Sequence, residues 1–517
     1  MKNRGTTTRR DFLTATGQTA VAGIGLGGLV TTQASAVEPC RVEAPPKQWD
    51  ETCDVVVVGS GFAGLAAAWE ARKTGASVAI LEKMPTAGGN SIINGGTIAA
   101  AGSPLQGQRV TDSPEQFAAE MIREGLGLNH PDLVKITAEQ SWPTVKWTIE
   151  EMGVQYSPHL VHEIGHALPR SYKTDNGSGS AIVARQLAKL QEIGQEVRVR
   201  TCVERILREA DGRVMGVQVR EGYEFPRRDG GKLKFIRATK ALVLAYGGFS
   251  ADIAYRLKHD PKLTAAIDCA SQPGATAALL RESLRIGASA VQLSGIQVEP
   301  CGSADEQGLG LGLRFAHDAA AMFGLWIDAA TGRRFISELA HRKLRADAIM
   351  NIMNQGGTCL ALADAGQTHG DVEQNIAKML ELGVIKPFDD IEAIAAAYKV
   401  PLEPFRRQIE TFNKFVVQKK DDQFGRYIHR NATPIGIKAP IYVLRLMPKV
   451  HSCMGGIQID ALARVIDVLT DEPIPGLYAA GEATGGILGA ATLGGCSTLS
   501  SLVWGRIAGR NAGAEKA

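Results

Sequence analysis

Apolar residues fall in two patterns along this chain. Cys53-Asp54-Val55-Val56-Val57-Val58 is a continuous apolar run behind a polar start, which predicts a strand buried on both faces of a parallel sheet. Leu65 to Thr74 is rich in alanine and predicts a helix, which Gly75 ends. Ser77 to Leu81 predicts a second strand, closed by Glu82. Far downstream, Ala241-Leu242-Val243-Leu244-Ala245 is another buried strand, running into Tyr246-Gly247-Gly248-Phe249. Near the C-terminus, Pro475-Gly476-Leu477-Tyr478-Ala479-Ala480 repeats the pattern and ends in Gly481-Glu482. A chain that returns to one sheet around an interrupting segment predicts an α/β fold with an inserted domain.

The first strand and helix are joined by Gly59-Ser60-Gly61-Phe62-Ala63-Gly64. A lone G-x-G-x-x-G is weak evidence, but here it sits between strand and helix, with an acid at the end of the second strand. Gly59 permits the tight turn, Gly61 lets a pyrophosphate approach the backbone, and Gly64 lets the helix pack on the strand. The helix N-terminus offers N–H groups and partial positive charge to phosphates. Glu82 is placed to accept hydrogen bonds from both hydroxyls of an adenosine ribose. Gly88-Gly89-Asn90-Ser91 and Gly95-Gly96 form a second glycine-rich stretch. That stretch and the later glycine turns point to FAD rather than NAD. The expected cofactor wall also includes Ala63, Lys83, Val203, Ala245 and Gly247.

At 517 residues the chain exceeds one ordinary core, so two domains are expected. Residues 1–36 read as a leader: Thr8-Arg9-Arg10-Asp11-Phe12-Leu13 is a twin-arginine sequence, a weakly apolar stretch follows, and Ala34-Ser35-Ala36 reads as a cleavage site. That predicts twin-arginine export to the periplasm. The apolar stretch is far below the roughly 20 residues a membrane span needs, so no stable membrane insertion is expected. The leader holds Lys2, Arg4, Arg9 and Arg10 against Asp11; without it the 57 basic and 54 acidic residues balance. A neutral mature chain gives no footprint for nucleic acid. The eight cysteines include no C-x-x-C, which argues against zinc, c-type haem and dithiol chemistry.

Further motifs carry a resemblance. Ala245-Tyr246-Gly247-Gly248-Phe249, Gly332-Arg333-Arg334-Phe335-Ile336-Ser337-Glu338, Asp422-Gln423-Phe424-Gly425-Arg426, His451-Ser452-Cys453-Met454-Gly455-Gly456 and Gly494-Gly495-Cys496-Ser497 stand in this order. With them the mature chain resembles the fumarate reductase and succinate dehydrogenase flavoproteins, above all the soluble flavocytochrome c-type reductases. The resemblance implies a Rossmann-like FAD-binding domain at about 50–293 and 454–517, and an inserted α+β capping domain at about 294–453. It implies backbone groups around Ser497, Thr498 and Leu499 facing the flavin, and Glu482 on the ribityl chain. No histidine stands near Asn90 and Ser91, where membrane-bound relatives attach the flavin, so non-covalent FAD is implied. The haem domain of some relatives is absent, which implies a separate electron donor or acceptor, a cytochrome, quinone or other carrier.

The resemblance also marks departures. Its proton-donating arginine matches Arg342 and one substrate histidine matches His451. Glu299 stands where the other histidine falls, and Thr492 where a carboxylate-clamping arginine falls; Tyr246 replaces a usual threonine. An ionised Glu299 repels an anion, and threonine cannot replace a bidentate arginine–carboxylate pair. A neutral small molecule is therefore expected, with Glu299, Thr492 and Trp326 around it. The leading expectation is dehydrogenation of a small saturated cyclic ketone next to its carbonyl, as in 3-ketosteroid dehydrogenases or a periplasmic cyclohexanone dehydrogenase. His451 would polarise the carbonyl. Arg342, Tyr246 and Tyr172 are rival bases, and Glu299 is open as base, ion-pair partner or exposed residue. The alternatives are an exported ene-reductase of an unsaturated acid or enone, and an FAD-binding electron carrier.

Overall fold

The computed structural model describes residues 45–516 apart from 108, 109, 164 and 228. The twin-arginine segment and its cleavage site lie outside the described residues. Glu51–Val58 is a central strand of an eight-stranded sheet. Val78–Leu81 and Lys232–Leu244 flank it in parallel, and Pro473–Ala479 runs parallel beyond Lys232–Leu244. Val55 to Val58 and Val78 to Leu81 are buried throughout, as expected of a parallel sheet covered on both faces. Val214–Glu221 and Thr201–Arg208 extend it as an antiparallel meander from Lys232–Leu244.

Register decides where the sheet can bind a ligand. Val58 lies beside Leu81 and Leu244, and Ala479 beside Leu244. The carboxyl ends of four parallel strands therefore meet at one edge, where open α/β sheets hold ligands. Helix Phe62–Lys73 leaves this edge, and the last helix, Cys496–Ala514, lies against it. Their contact depends on missing side chains. A Cβ on Gly505 would lie 2.4 Å from the Ala63 carbonyl oxygen, and one on Gly509 2.2 Å from that of Ala67.

The inserted segment has its own antiparallel sheet, in the order Leu325–Asp328, Cys359–Asp364, Ile441–Leu446, Lys386–Phe388. Its strands alternate between two cores, as the period of two requires. Trp326, Cys359, Ala361, Ala363, Tyr442 and Leu444 face one core, with Phe315, Ile349 and Met379. Leu325, Ile327, Leu360, Leu362, Ile441 and Val443 face the other, with Phe405, Ile409 and Phe412. The arginine and acid residues of this segment's motifs form a buried ion network with Asp421. Arg334 reaches Glu338 at 2.6 Å and Asp421 at 2.9 Å, and Arg426 reaches Glu338 at 3.0 Å. Among the described residues this is the expected architecture, a Rossmann-like sheet carrying an α+β cap.

The chain passes between the two parts through an antiparallel ladder of Ile296–Glu299 with Lys449–Cys453. Gln297 pairs with Ser452 and Val298 with Val450, so His451 is the extra residue of a β-bulge. A bulge re-aims a side chain and bends its strand.

Candidate active site

The strand ends build the cradle. Gly59 has φ +105°, and a Cβ there would lie 2.2 Å from the Ala245 carbonyl oxygen. A Cβ on Gly64 would lie 1.9 Å from the Gly59 oxygen. Only glycine permits these approaches. The Glu82 carboxylate is locked in place by Ser60, which donates from its N–H at 3.2 Å and its Oγ at 2.7 Å, and by the Met84 N–H at 2.9 Å. Ser60 Oγ also accepts from the Gly88 N–H at 2.9 Å, and Ser91 Oγ from the Phe62 N–H at 2.9 Å. Two glycine-rich stretches distant in sequence are thus one unit.

A cavity in three adjoining lobes runs along this edge. The first is walled by Lys83, Val203, Tyr223, Phe225 and Arg281. The second holds Gly59, Gly61, Ala63, Glu82, Gly89, Asn90, Ser91, Ala245 and Gly247. The third holds Asn90, Ser91, Leu309, His451, Ser497 and Thr498. Gly59 and Glu82 border the first two lobes, and Gly481 and Glu482 the last two. A glycine cradle in the middle with a lobe on either side fits an extended dinucleotide: adenosine beyond Glu82, pyrophosphate over Gly59 to Ala63, and a second ring system beside His451 and the start of the last helix. Burial pushes the Glu482 carboxyl up, although it accepts from the Cys453 N–H at 2.8 Å. Burial also lowers the pKa of Lys83, whose Nζ donates to Thr276 Oγ1 at 3.1 Å.

Gly95 and Gly96 play another part. A Cβ on Gly96 (φ +71°) would lie 2.2 Å from Thr174 Oγ1, so this pair turns the chain into strand Thr97–Ala99. The Leu499 side chain is buried in the core, and its N–H bonds to the Gly495 carbonyl, while its neighbours Ser497 and Thr498 face the third lobe.

Beside that lobe stands a charged constellation. Arg342 opens helix Arg342–Asn354, and its Nε lies 3.3 Å from Glu299 Oε2. Burial alone would raise the Glu299 pKa, but the charges of Arg342 and Arg345, with His451 and His317, more than offset it and hold the carboxyl low. His451 is half-buried; desolvation of its ring lowers its pKa, and its buried Nδ1 has no hydrogen-bond partner. Thr492 lies against the same ladder: its N–H donates to Gln297 Oε1 at 3.0 Å, and Ser497 Oγ donates to its Oγ1 at 3.4 Å.

The structure thus brings Arg342, Glu299 and His451 together, with Thr492 adjoining. Tyr246 and Tyr172 are placed elsewhere. Tyr246 borders the first two lobes, at the adenosine end. Tyr172 packs between Trp142 and Tyr156. Burial raises both phenols, the wrong direction for a resting base. Trp326 is core: its indole N–H donates to the Ala316 carbonyl at 3.3 Å, and the Arg345 guanidinium lies over its ring. Two residues were missed. Gln297 shares a strand face with Glu299, a period-two signal, and its Nε2 is buried without a partner. Arg345 is one helical turn from Arg342 and donates to the Glu338 carbonyl at 3.1 Å.

An FAD cradle closed by a cap that carries charged side chains defines a flavin-dependent oxidoreductase. The FAD binding domain family matches residues 54–498, and the chain belongs to it. Over 99% of both chains it is 38% identical to the acrylate reductase flavoprotein subunit of Shewanella woodyi. Among solved structures, the open conformation of a flavocytochrome c3 fumarate reductase matches with a TM-score of 0.73 at 29% identity, covering 90% of this chain and 79% of that one. The 3-ketosteroid Δ1-dehydrogenase of Sterolibacterium denitrificans shares the fold, with a TM-score of 0.76 at 22% identity, over 90% of this chain and all of that one. The protein is an FAD-dependent oxidoreductase acting on CH–CH or C=C bonds.

Proposed function

We propose that the chain is an ene-reductase of small 2-enoates with one carboxylate, acrylate being the simplest. The observation that carries this is the Arg342–Glu299 pair at 3.3 Å. The expectation of a neutral substrate rested partly on a free glutamate repelling anions. Glu299 is not free, so that argument weakens. The site and its supporting network contain Arg334, Arg342, Arg345 and Arg426 against Glu299, Glu338 and Asp421. One guanidinium charge is left over, which matches one carboxylate. Thr492, where the fumarate reductases resembling this chain have a clamping arginine, removes the place for a second. The similarity to the acrylate reductase subunit supports the same reading.

Saturating such a C=C takes a hydride at the β-carbon and a proton at the α-carbon. Reduced FAD, when bound, supplies the hydride. Arg342 supplies the proton: its guanidinium is a weak acid at rest, but the α-carbon becomes strongly basic as charge develops. Glu299 holds Nε and leaves the guanidinium fork for the substrate. His451, aimed by the bulge with Nδ1 unpartnered, binds the substrate carboxylate or carbonyl oxygen. Electrons enter from a separate carrier of the cytochrome or quinol class. We place the cap at about 294–453, and the enzyme in the periplasm through the twin-arginine leader; replacing Arg9 and Arg10 with lysine should leave it in the cytoplasmic fraction.

The test is anaerobic reoxidation of the photoreduced protein. Acrylate and short 2-enoates should restore the oxidised flavin spectrum quickly, and fumarate slowly. Fumarate matching acrylate would overturn the single-carboxylate reading. Thr492, a neutral corner, also favours a second reading, ketone dehydrogenation; bleaching of the oxidised flavin by cyclohexanone, with no response to enoates, would establish it instead. Exchange with carriers but with neither class of small molecule would leave an electron carrier.

A further inference from the structure

The helix that begins with Arg342 is fastened by a residue whose two nitrogens face different parts of the molecule. His341 Nδ1 accepts from the Lys343 N–H at 3.3 Å, as the helix N-cap. His341 Nε2 lies 3.1 Å from the main-chain carbonyl of Glu124, the last residue of helix Pro114–Glu124. An amide N–H only donates and a carbonyl only accepts, so Nδ1 takes the Lys343 N–H while Nε2 presents its N–H to Glu124, whose carboxylate Oε1 also lies 3.6 Å from Nε2. One imidazole therefore joins the cap to the dinucleotide part of the molecule.

The far anchor is itself tied to the flavin lobe. Gly125 O accepts from the Ala490 N–H at 3.0 Å. Asn129 Nδ2 donates to the Ile487 carbonyl at 2.9 Å. The turn after Glu124 thus supports the loop that carries Ile487 and Leu488 into the third lobe and leads on to Thr492. Arg342, next in sequence to His341, meets the other wall through Glu299. We propose that His341 is a positioning residue: its Nε2–H bond to Glu124 registers the cap against the 487–492 loop and so sets where the Arg342 guanidinium stands. The bridge adds a second tie to the one Thr492 makes with Gln297, on the side of the loop nearest Arg342, so its loss displaces the proton donor without removing it, and small displacements at a reacting centre are costly.

Two substitutions separate the two nitrogens. Asparagine reproduces the Nδ1 position and keeps the cap, but does not reach Glu124. Glutamine reproduces the Nε2 position and keeps the bridge, but caps poorly. His341→Asn should lower kcat and kcat/KM together about three- to tenfold, the loss of one hydrogen bond, with FAD content unchanged. It should also speed amide hydrogen exchange in segments 124–130 and 339–345. His341→Gln should stay within about twofold of wild type in both readouts. The reverse order, or equal loss in both variants, overturns the proposal, because the ring would then serve the helix end alone. The inference about turnover rests on Arg342 acting at the flavin, but the exchange readout does not, so Arg342→Ala fails or succeeds independently of the bridge.

Discussion

Replacing Glu299 with glutamine tests the charge reasoning directly. The side chain keeps its shape and loses its charge. Arg342 Nε and Glu299 Oε2 are 3.3 Å apart, so at an effective dielectric of about 20 their attraction is ~5 kcal/mol. Desolvation of the buried carboxylate offsets much of this. Arg342 keeps 25% of its side chain exposed, so freeing it costs less than orphaning a fully buried charge, about 1–3 kcal/mol of folded stability. The site meanwhile gains one positive charge. A second substrate carboxylate about 7 Å away gains ~2 kcal/mol at the same dielectric, a factor on the order of 30. Fumarate carries that second carboxylate and acrylate does not. The ratio of kcat/KM for fumarate to that for acrylate should therefore rise about 10- to 30-fold in Glu299→Gln. The assay is anaerobic oxidation of a reduced viologen, normalised to bound flavin. A ratio that stays the same or falls refutes the idea that Glu299 sets substrate charge.

Arg342→Ala should slow turnover at saturating substrate by about 10²-fold or more, with Tyr246→Phe and Tyr172→Phe within about twofold of wild type; a tyrosine variant that abolishes flavin turnover while Arg342→Ala does not would move the proton to that phenol. Glu82→Ala should weaken FAD binding about tenfold to a hundredfold, as charge-assisted hydrogen bonds of about 1.5–3 kcal/mol are lost, and acid precipitation of wild type should leave the yellow colour in the supernatant; unchanged retention in the variant would place the ribose elsewhere. Burial lowers the His166 pKa to about 4, and the ring is held neutral between Arg170 Nη1 at 3.2 Å and the Gly494 carbonyl at 2.8 Å. The unfolded chain takes up this proton near pH 6.5 and the folded one only near 4, so about 3 kcal/mol of stability, present above pH 6.5, should drain away as pH falls through that window. Urea unfolding of His166→Gln should show a flatter acid limb, and an identical limb would remove His166 from the account.

The cofactor half of the protein was legible because its constraints are local. Gly59 and Gly64 are demanded by a turn and a close packing within a few residues, and the acid at Glu82 ends the very next strand. The substrate half depends on contacts between distant segments. Glu299 had three readings open in the sequence, and nothing near it names Arg342 as its partner. Tyr246 adjoins a glycine turn that lines the cofactor, but the direction of its ring follows from which lobe the turn faces. Trp326 could be a pocket wall or core by sequence; its strand alternates, and Trp326 falls on the face that packs against Phe315 and Ile349, in the core. The bulge at His451 leaves no mark in composition, because one extra residue in a strand is visible only once the partner strand is known.

The contact of the last helix with the helix at Phe62 bears on how the protein is made. Ser497, Thr498, Ser500 and Ser501 wall the flavin lobe, and Gly505 and Gly509 seat that wall on Ala63 and Ala67. During translation the phosphate-binding turn emerges early, yet its cavity is open on one side until the final helix has left the ribosome. FAD is therefore captured only once this helix has emerged, and until then the nascent chain carries an apolar sheet with no helix across part of it. A nonsense codon that removes only this helix would yield a colourless protein and a client for chaperones and proteases, even though the dinucleotide motif, the cap and Arg342 had all been translated intact.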